Sequence, residues 1–403
     1  MAVDARSTPG NTSPRVALVH SFYSSRQPSG ENQVVEQQLA ALGRAGIETL
    51  LVDQRTDDRE HRRLYPLGAA VTVATGRGPD PLRELRRFEP DVVHVHNLFP
   101  NFGRSWVSRW EGALVAHTHN FRPLCPGGSL SRDGYICTEC LDRGSALPSL
   151  QHGCYRGSRV RTLPLAVSTR FAADPVLARA DRVIALTEDM RDLYARAGVP
   201  AARIDVVPNF IPAPETPEPG PGGDYWLYVG RLSPEKGILE LVRQWPRGRR
   251  LVVAGSGAQA DAVREAAHGD VELLGHQSRS QVRELMAGAL GLVFPSRCME
   301  GLGLVALEAL AAGTPVLAWP PAPAAALVEG LGVGAAGRDD VEASLDEAQD
   351  RFPHLRAKCR QVFETHFTEQ VWVESVLGVY DRARGLAPAA GPSRPGHPAT
   401  PTG

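Results

Sequence analysis

Two glutamates in the second half of the chain have a spacing that could bind a sugar-containing ligand. Glu300 follows the strand-like run GLVFPS, and seven residues separate it from Glu308. From Gly301 to Ala312 every other side chain is apolar or absent, and an unpartnered charge in a buried helix is costly. We therefore expect Glu308 to accept two hydrogen bonds from a vicinal diol such as that of ribose, and Glu300 to reach the hydroxyls of a polyol. The alternatives are an arginine partner for Glu308 and an ordinary loop position for Glu300.

Cations and glycines near these glutamates are suited to a diphosphate. Arg231 ends the strand-like run WLYVGR, and Lys236, one of only two lysines in the chain, opens the following helix. The helix that carries Glu308 begins with Gly301, Leu302, Gly303 and Leu304. Because free backbone N–H groups at helix starts bind anions, we predict that both elements hold the phosphates of one ligand. A solvated turn is the alternative for Arg231 and Lys236.

Four cysteines form a second candidate site. They lie in a loop rich in glycine and proline, 121–156, and are Cys125, Cys137, Cys140 and Cys154. Four thiolates that include a CxxC pair can close a tetrahedral zinc site, which would stabilise a long loop that lacks a core of its own. We expect a structural zinc here, with unligated buried thiols, disulfides or an iron–sulfur cluster as the alternatives.

The elements that position these residues follow an alternating pattern. Short β-branched runs alternate with helical patterns, which is typical of parallel sheets covered by helices. The strand candidates are RVALVHSF, ETLLVDQR, DVVHVHNL, GALVAHTHN and DRVIALTE, then WLYVGRL, RLVVAGSG, VELLG, GLVFPS and TPVLAW. The sequence thus predicts an α/β fold of two tandem Rossmann-like, doubly wound domains. Since such sheets bind ligands at the carboxyl ends of their strands, we expect the site in the cleft between the two domains.

The chain divides at a segment that is dense in proline and glycine. Residues 207–223 have the composition of a linker, which separates a first domain, 15–206, from a second domain, 224–366. A C-terminal helix, 367–385, is expected to return toward the first domain. The two ends, 1–14 and 386–403, have the composition of a flexible N-terminus and a disordered tail.

Composition limits the classes of partner. The 403 residues carry a formal net charge of −1, so no overall field attracts nucleic acid. The first residues lack the apolar run of a signal peptide, and no stretch of about 18 apolar residues occurs. We therefore expect a cytoplasmic protein with reduced thiols and without a nucleic-acid partner.

A set of motifs resembles those of the retaining glycosyltransferases of family four, which have the GT-B fold. The resembling stretches are VVPNFI, YVGRLSPEKG, VAGSG, LLGH and PSRCMEGLGLVALEALAAGTPVLA, the last of which holds the two glutamates. The resemblance covers the chain from Arg15 to about Gly385. It implies that the first domain faces the acceptor and that the second domain binds a nucleotide-sugar donor.

The resemblance also implies roles for single residues of the second domain. Arg231 and Lys236 would clamp the donor diphosphate, Glu300 would hold hydroxyls of the sugar, and Glu308 would hold the ribose. With these cations in place no divalent ion is required for the phosphates. The family transfers the sugar by same-face attack assisted by the leaving group, so no protein nucleophile is expected.

In the first domain the resemblance implies two further site residues. His119, in the strand end AHTHN, matches a histidine that approaches the donor sugar, and it is a catalytic candidate together with Glu300. A histidine at a strand end can also be structural. The family's Gly-Gly loop reads Ser29-Gly30 in this chain, so only Gly30 is assigned to donor binding.

These inferences predict a retaining glycosyltransferase that moves a sugar from a nucleoside diphosphate to an acceptor hydroxyl. The acceptor would belong to a polysaccharide, a glycolipid or a small-molecule glycoside, and the transfer itself would require no cofactor. The alternatives are a nucleotide-sugar epimerase and a non-catalytic, zinc-stabilised nucleotide-sugar binding protein. The combination of GRLSPEKG with the two spaced glutamates favours transfer.

The stretch YRGSRVRTLPLAVSTR, after the cysteines, mixes arginines with apolar residues. A surface helix of this composition can touch a membrane or a lipid-linked acceptor, and a solvated helix is the alternative. Weak peripheral association with the inner face of the membrane is therefore a further expectation.

Overall fold

The fold was analysed in a computed structural model, which describes residues 13–26, 30–212, 222–300 and 303–386. Several predicted features lie outside the described residues. They are Gly301 and Leu302 of the expected phosphate site, most of the predicted linker, and nearly all of the predicted flexible ends. The described residues form two six-stranded sheets and a small two-stranded hairpin.

The first sheet is parallel, with the strand order β2-β1-β3-β4-β7-β8, and the hairpin β5-β6 lies in the loop after β4. The strands are β1 (Val16–Phe22), β2 (Thr49–Arg55), β3 (Val92–Asn97), β4 (Ala113–His117), β5 (Ser131–Arg132), β6 (Tyr135–Ile136), β7 (Arg182–Ala185) and β8 (Ile204–Val206). The helices are α1 (Gly30–Arg44), α2 (Tyr65–Thr75), α3 (Leu82–Phe88), α4 (Glu139–Asp142), α5 (Leu147–His152), α6 (Arg159–Ser168), α7 (Pro175–Arg179) and α8 (Glu188–Arg196).

The second sheet is also parallel, with the order β11-β10-β9-β12-β13-β14. Its strands are β9 (Tyr225–Val229), β10 (Arg250–Ala254), β11 (Val271–Gly275), β12 (Gly291–Phe294), β13 (Val316–Ala318) and β14 (Gly334–Ala336). Its helices are α9 (Ile238–Arg243), α10 (Ala260–Ala266), α11 (Arg279–Gly288), α12 (Leu304–Ala311), α13 (Pro323–Leu331) and α14 (Val341–His366), and α15 (Glu369–Ala383) follows.

Helices cover both faces of each sheet, which explains why the strands are almost continuously apolar. All seven residues of β1 are buried. Ala17 and Val19 belong to the core on one face, with residues of α3, α7 and α8, whereas Val16 and Leu18 belong to the core on the other face. The same division holds in the second domain, where alternate strand residues join two separate cores.

The last helix, α15, packs against the first sheet. Trp372, Val376 and Tyr380 are buried in the same core as Val16 and Leu18 of β1. The predicted α/β fold of two Rossmann-like domains, with a C-terminal helix that returns to the first domain, is therefore confirmed. Among the residues that the structure describes, no helix has both the length and the apolar character of a membrane span.

Candidate active site

A cleft of about 1000 Å³ separates the two domains and lies where strands of both sheets end. This position agrees with the rule that open parallel sheets bind ligands at the carboxyl ends of their strands. All predicted donor-site and catalytic residues that the structure describes line the cleft: Gly30, His119, Arg231, Lys236, Glu300, Gly303, Leu304 and Glu308.

Lys236 and Glu300 form an ion pair in this cleft. The Lys236 Nζ donates to Glu300 Oε2, and the Ser296 hydroxyl donates to Glu300 Oε1. Both side chains of the ion pair are mostly buried, with exposed fractions of 20% and 18%. Lys236 ends a short 3-10 turn (Pro234–Lys236), and the next residue, Gly237, has φ 69°. A Cβ at Gly237 would lie 2.1 Å from the Pro295 carbonyl oxygen, so only glycine lets the two loops approach closely.

Arg231 occupies a different position, at the rim of the cleft. Its side chain is 69% exposed, and its Nη2 lies 3.3 Å from Glu235 Oε1. An exposed ion pair of this kind is worth little. The guanidinium can therefore leave Glu235 for a stronger anion without a large penalty.

Glu308 lies on the one side of α12 that is not packed into the core. The neighbouring residues Leu307 and Ala309 are fully buried, whereas Glu308 is partly buried and lines the cleft. Burial raises the pKa of this carboxyl, and the charges of Arg279 and Arg283 oppose the effect. Within the described part of the chain, no hydrogen bond or ion pair of 4.0 Å or less is found for Glu308. The arginine partner considered from the sequence is therefore not in contact with it.

The starts of two helices face each other across the cleft. Gly303 precedes α12, and Leu304 is its first residue. Gly30 is the first residue of α1, and a Cβ at Gly30 would lie 3.6 Å from Leu304 Cδ1. The two N-termini therefore open into the same space, where their free N–H groups can attract an anion.

His119 lies two residues beyond β4, on the wall of the first domain. His96 Nδ1 and His119 Nε2 share a hydrogen bond of 2.9 Å. Burial is the main reason that the pKa of His119 is well below its usual value, and the nearby histidines His20 and His94 add to the effect. The imidazole is therefore neutral at pH 7, and it can position a sugar hydroxyl but adds no positive charge to the cleft.

Behind His119 lies a buried histidine cluster that the sequence analysis did not recognise. His94 shares hydrogen bonds with Tyr380 Oη (2.8 Å) and His117 Nδ1 (3.2 Å). One ring nitrogen from each of His94, His96 and His117 lies within 4.8 Å of the others. The His94 and His117 rings are stacked, with centroids 5.3 Å apart, whereas the His94 and His96 rings are tilted by 31°. His94 and His117 already use facing ring nitrogens in the hydrogen bond between them, so this cluster supports His119 and β4.

Glu31 is a second cleft residue that sequence reasoning missed. It lies in the first turn of α1 and accepts a hydrogen bond of 3.0 Å from Asn120 Nδ2, next to His119. Burial raises the pKa of Glu31 to about 7, and its hydrogen bonds oppose the effect. Its position after Gly30 at a helix start was a usable signal, because acids in a first turn are common both as caps and as ligand contacts.

Arg297 is a further missed residue of the cleft. It lies between β12 and α12, and its backbone N–H donates to the Glu235 carbonyl at 2.9 Å. Its side chain faces the hairpin of the first domain, since a Cβ at Gly134 would lie 3.9 Å from Arg297 Nη1. Arg297 therefore adds positive charge to the cleft besides Arg231 and Lys236.

A smaller cavity of about 120 Å³ lies on the other side of His119. Its walls are mainly apolar, with Phe99, Phe102 and Leu165 among them. His119 borders this cavity as well as the cleft. The imidazole therefore lies between the cleft and this smaller cavity.

Two family descriptions match the two halves of the chain. "Glycosyl transferase 4-like domain" matches residues 29–209, and "Glycosyl transferases group 1" matches residues 223–350. D-inositol 3-phosphate glycosyltransferase of Frankia alni is 32% identical over 390 residues, which cover 86% of this chain and 86% of that protein.

The chain belongs to glycosyltransferase family four.

Other relatives of this glycosyltransferase match over shorter stretches. Glycogen synthase of Mycobacterium tuberculosis is 35% identical over 153 residues, which are 34% of this chain and 37% of that protein. This match therefore spans little more than a third of the relative. None of these comparisons favours an epimerase or a non-catalytic binding protein.

Solved structures show the same fold as this glycosyltransferase. Sucrose-phosphate synthase from Thermosynechococcus elongatus has a TM-score of 0.61 at 19% identity, with 90% of this chain and 97% of that chain covered. HepE from Anabaena, in complex with UDP-glucose, has a TM-score of 0.53 at 17% identity, with 90% and 99% covered. The predicted GT-B fold and family are confirmed, whereas retention of configuration stays a prediction.

Proposed function

We propose that this chain transfers a sugar from a nucleoside diphosphate sugar to an acceptor hydroxyl, with retention of configuration at the anomeric carbon. The observation that carries the proposal is the position of Glu308. This half-buried carboxylate faces the interdomain cleft without a contacting partner among the described residues, and it lies on the same helix that opens beside the Lys236–Glu300 ion pair. A ribose diol would satisfy its oxygens.

The donor then lies along the second domain. We place the ribose at Glu308, the diphosphate at the start of α12 between Lys236 and Arg231, and the sugar hydroxyls at Glu300. The distance along α12 from Leu304 to Glu308 is about 6 Å, from the rise of about 1.5 Å per residue. In this arrangement the ribose, the diphosphate and the sugar follow one another along the helix in the order in which they are linked in the donor. The UDP-glucose complex of HepE supports a nucleotide sugar as the donor.

In the proposed reaction, the bond between the anomeric carbon and the leaving phosphate oxygen breaks. The acceptor oxygen forms its bond to the same face of that carbon, and the acceptor proton passes to the departing phosphate. Lys236, Arg231 and the N–H groups of α12 stabilise the charge that develops on the leaving group. These cations meet the charge of the diphosphate, so the proposal requires no divalent ion.

The acceptor side is assigned to the first domain. Neutral His119 would orient a hydroxyl of the donor sugar, and the part of the cleft beside it would admit the acceptor. Glu31 and Asn120 lie on the same wall and offer hydrogen bonds to a polar acceptor. The Frankia alni relative, named for an inositol phosphate acceptor, is consistent with a polyol here.

The proposal is tested first by a screen of donors. Melting of the purified protein is measured with UDP, GDP, ADP and dTDP and with their sugars, because a ligand that binds only the folded state raises the melting temperature. One nucleotide should stabilise the protein most. With that donor and polyol acceptors, release of the nucleoside diphosphate and NMR of the product should show the donor's anomeric configuration. Binding without release under all conditions would indicate a non-catalytic protein, and an inverted product would exclude retention.

The Glu308→Ala variant should bind the selected nucleoside diphosphate about tenfold to a hundredfold more weakly, because hydrogen bonds to a charged group contribute about 1.5–3 kcal/mol. Isothermal titration calorimetry measures this change. Glu329→Ala is the matched control, since Glu329 is an exposed helix residue of the same domain that does not line the cleft. Equal affinity of Glu308→Ala and the parent would contradict the ribose assignment.

We also propose weak association of the first domain with an anionic membrane surface. Helices α2 and α6 pack together. Leu64, directly before α2, and Leu67 and Val71 within it are exposed at the same spacing as Val160, Leu163 and Val167 of α6. Arg159 and Arg161 lie within the first turn of α6. An apolar stripe flanked by arginines is typical of helices that lie in the membrane interface.

Flotation with vesicles tests this association. The protein should float with vesicles that contain phosphatidylglycerol, and less with pure phosphatidylcholine, because the arginines add attraction only to the anionic surface. Leu163→Asp should abolish flotation, whereas Leu386→Asp, at an exposed apolar residue after α15, should not. Flotation that is unchanged in Leu163→Asp would indicate that α6 remains solvated.

A further inference from the structure

The four cysteines of the loop 121–156 line one small cavity in the structure. They surround a cavity of about 10 Å³, which is about the space of one water molecule. All four are free thiols: Cys125, Cys137, Cys140 and Cys154. Cysteines that are up to 29 positions apart in the sequence thus line the same small cavity.

The local backbone brings the thiols to this point. Strands β5 and β6 are joined by Asp133 and Gly134, with φ values of 53° and 79°, as the two-residue hairpin turn with positive φ at both positions requires. The hairpin delivers Cys137, whose N–H donates to the Leu130 carbonyl at 2.8 Å. The CxxC spacing then places Cys140 in the first turn of α4.

Cys125 and Cys154 approach from the other side. Both lie beside Gly127, where a Cβ would be in ordinary van der Waals contact with Cys125 Sγ at 3.6 Å and with the Cys154 carbonyl oxygen at 3.4 Å. Cys154 directly follows Gly153, which ends α5 with φ 62°. The four thiols are thus supplied by three separate turns, which resembles the way in which small metal-binding loops are built.

The other polar side chains at the cavity already have partners. Glu139 accepts a hydrogen bond of 2.7 Å from Arg132, and its oxygens lie 2.9 Å from Arg143 and 3.5 Å from His152. These contacts hold Glu139 and His152 in an ion-pair network around the cavity. The four thiols line the cavity beside this network.

Regular structure contributes little to the stability of this loop. Its elements are two strands of two residues and two helices of four and six residues. Only a few of its side chains, such as Leu124 and Leu130, reach the main core. A loop of this length that keeps a defined shape requires some other constraint.

We propose that Cys125, Cys137, Cys140 and Cys154 bind one structural zinc ion. Four thiolates in a closed tetrahedral site are the ligand set that structural zinc prefers. Among the described residues no three of these sulfur atoms lie within 4.8 Å of one another. Binding of the zinc ion would therefore move the sulfur atoms closer together, to a Zn–S distance of about 2.3 Å.

The zinc would also shape the cleft between the domains. The other face of the hairpin belongs to the cleft wall, through Gly128, Ser129, Ser131, Arg132, Asp133 and Gly134. Gly134 lies opposite Arg297 of the donor domain. The ion would therefore have no part in the chemistry, and it would fix the position of the wall that the acceptor passes.

Metal analysis of the purified protein tests the proposal without any donor or acceptor, so its result is independent of the proposed transfer activity. We expect about one zinc ion per chain. Cys137→Ser and Cys154→Ser should lose the zinc, and Cys359→Ala, at a cysteine outside the loop, should retain it. Protein in which zinc is replaced by cobalt should show the absorption of a tetrahedral tetrathiolate site.

A second measurement covers the case in which the serine variants do not fold. Titration of the parent protein with a mercurial reagent should release zinc in proportion to the four protected thiols, as followed with a metal-sensitive dye. Iron with inorganic sulfide would overturn the proposal in favour of a cluster. Protein without metal, whether its thiols are free or joined in disulfides by mass spectrometry, would overturn it as well.

Discussion

Lys236→Ala should lower kcat/KM for the donor by about a hundredfold to a thousandfold, the loss of about 2.7–4 kcal/mol that follows removal of one preorganised donor from an oxyanion hole. The ammonium group lies in the cleft at a mostly buried position, where it pairs with Glu300. As the sugar leaves, negative charge develops on the diphosphate, and the attraction to Lys236 strengthens in a poorly solvated site. Most of the loss should therefore appear in kcat.

The chain offers a matched control for this variant. Lys358 is the only other lysine, and it is an exposed residue of α14. Lys358→Ala should have the kinetics of the parent, and both variants should keep nearly the parent's melting temperature. Normal turnover of a folded Lys236→Ala protein would contradict the assigned role. A collapse of its melting temperature would instead indicate that the ion pair with Glu300 is structural.

Glu300→Gln should lower kcat/KM by about tenfold to a hundredfold, since hydrogen bonds to a charged group contribute about 1.5–3 kcal/mol. The substitution preserves the shape of the side chain and removes its charge. The proposed contact of Glu300 is with the sugar, so the affinity for the nucleoside diphosphate alone should change little. Steady-state kinetics and calorimetry together distinguish the two effects.

The contrast with Glu308→Ala sharpens this test, because that variant should lose affinity for the nucleoside diphosphate itself. Glu329→Gln serves as the control for Glu300→Gln, as Glu329→Ala does for Glu308→Ala, at an exposed helix position of the same domain. If Glu300→Gln loses turnover and nucleoside diphosphate affinity equally, the result would indicate that Glu300 contacts the phosphates and not the sugar.

The fold could be predicted largely from the sequence, because parallel strands covered on both faces are continuous apolar runs. Strands β8 and β14 were missed for a physical reason. Each has three residues, and β14 consists of Gly334 and two alanines. Gly334 is required by close packing, since a Cβ there would lie 2.0 Å from the Val316 carbonyl oxygen. Strand β14 therefore contains no β-branched residue that would indicate a strand.

The candidate site could be predicted only in part. The spacing of Glu300 and Glu308 within one motif indicated a shared role, because sequence neighbours on one helix start must lie close together. The ion pair of Glu300 with Lys236 joins residues 64 positions apart, and no local pattern specifies such a contact. Glu31 and Arg297 face the same cleft only because of the way the two domains meet, which no local sequence pattern specifies.

The return of α15 has a consequence for how the protein can move. The chain passes between the domains twice, once after β8 and once between α14 and α15. The two crossings lie side by side, since the Ile211 N–H donates to the Phe367 carbonyl at 3.2 Å. Because the two domains are joined at these two adjacent crossings, one domain can rotate relative to the other about the line through the crossings. Rotation about any other axis is restrained by the second connection. Opening for substrate and closing for reaction should therefore follow a single rotation, with its axis near Ile211 and Phe367.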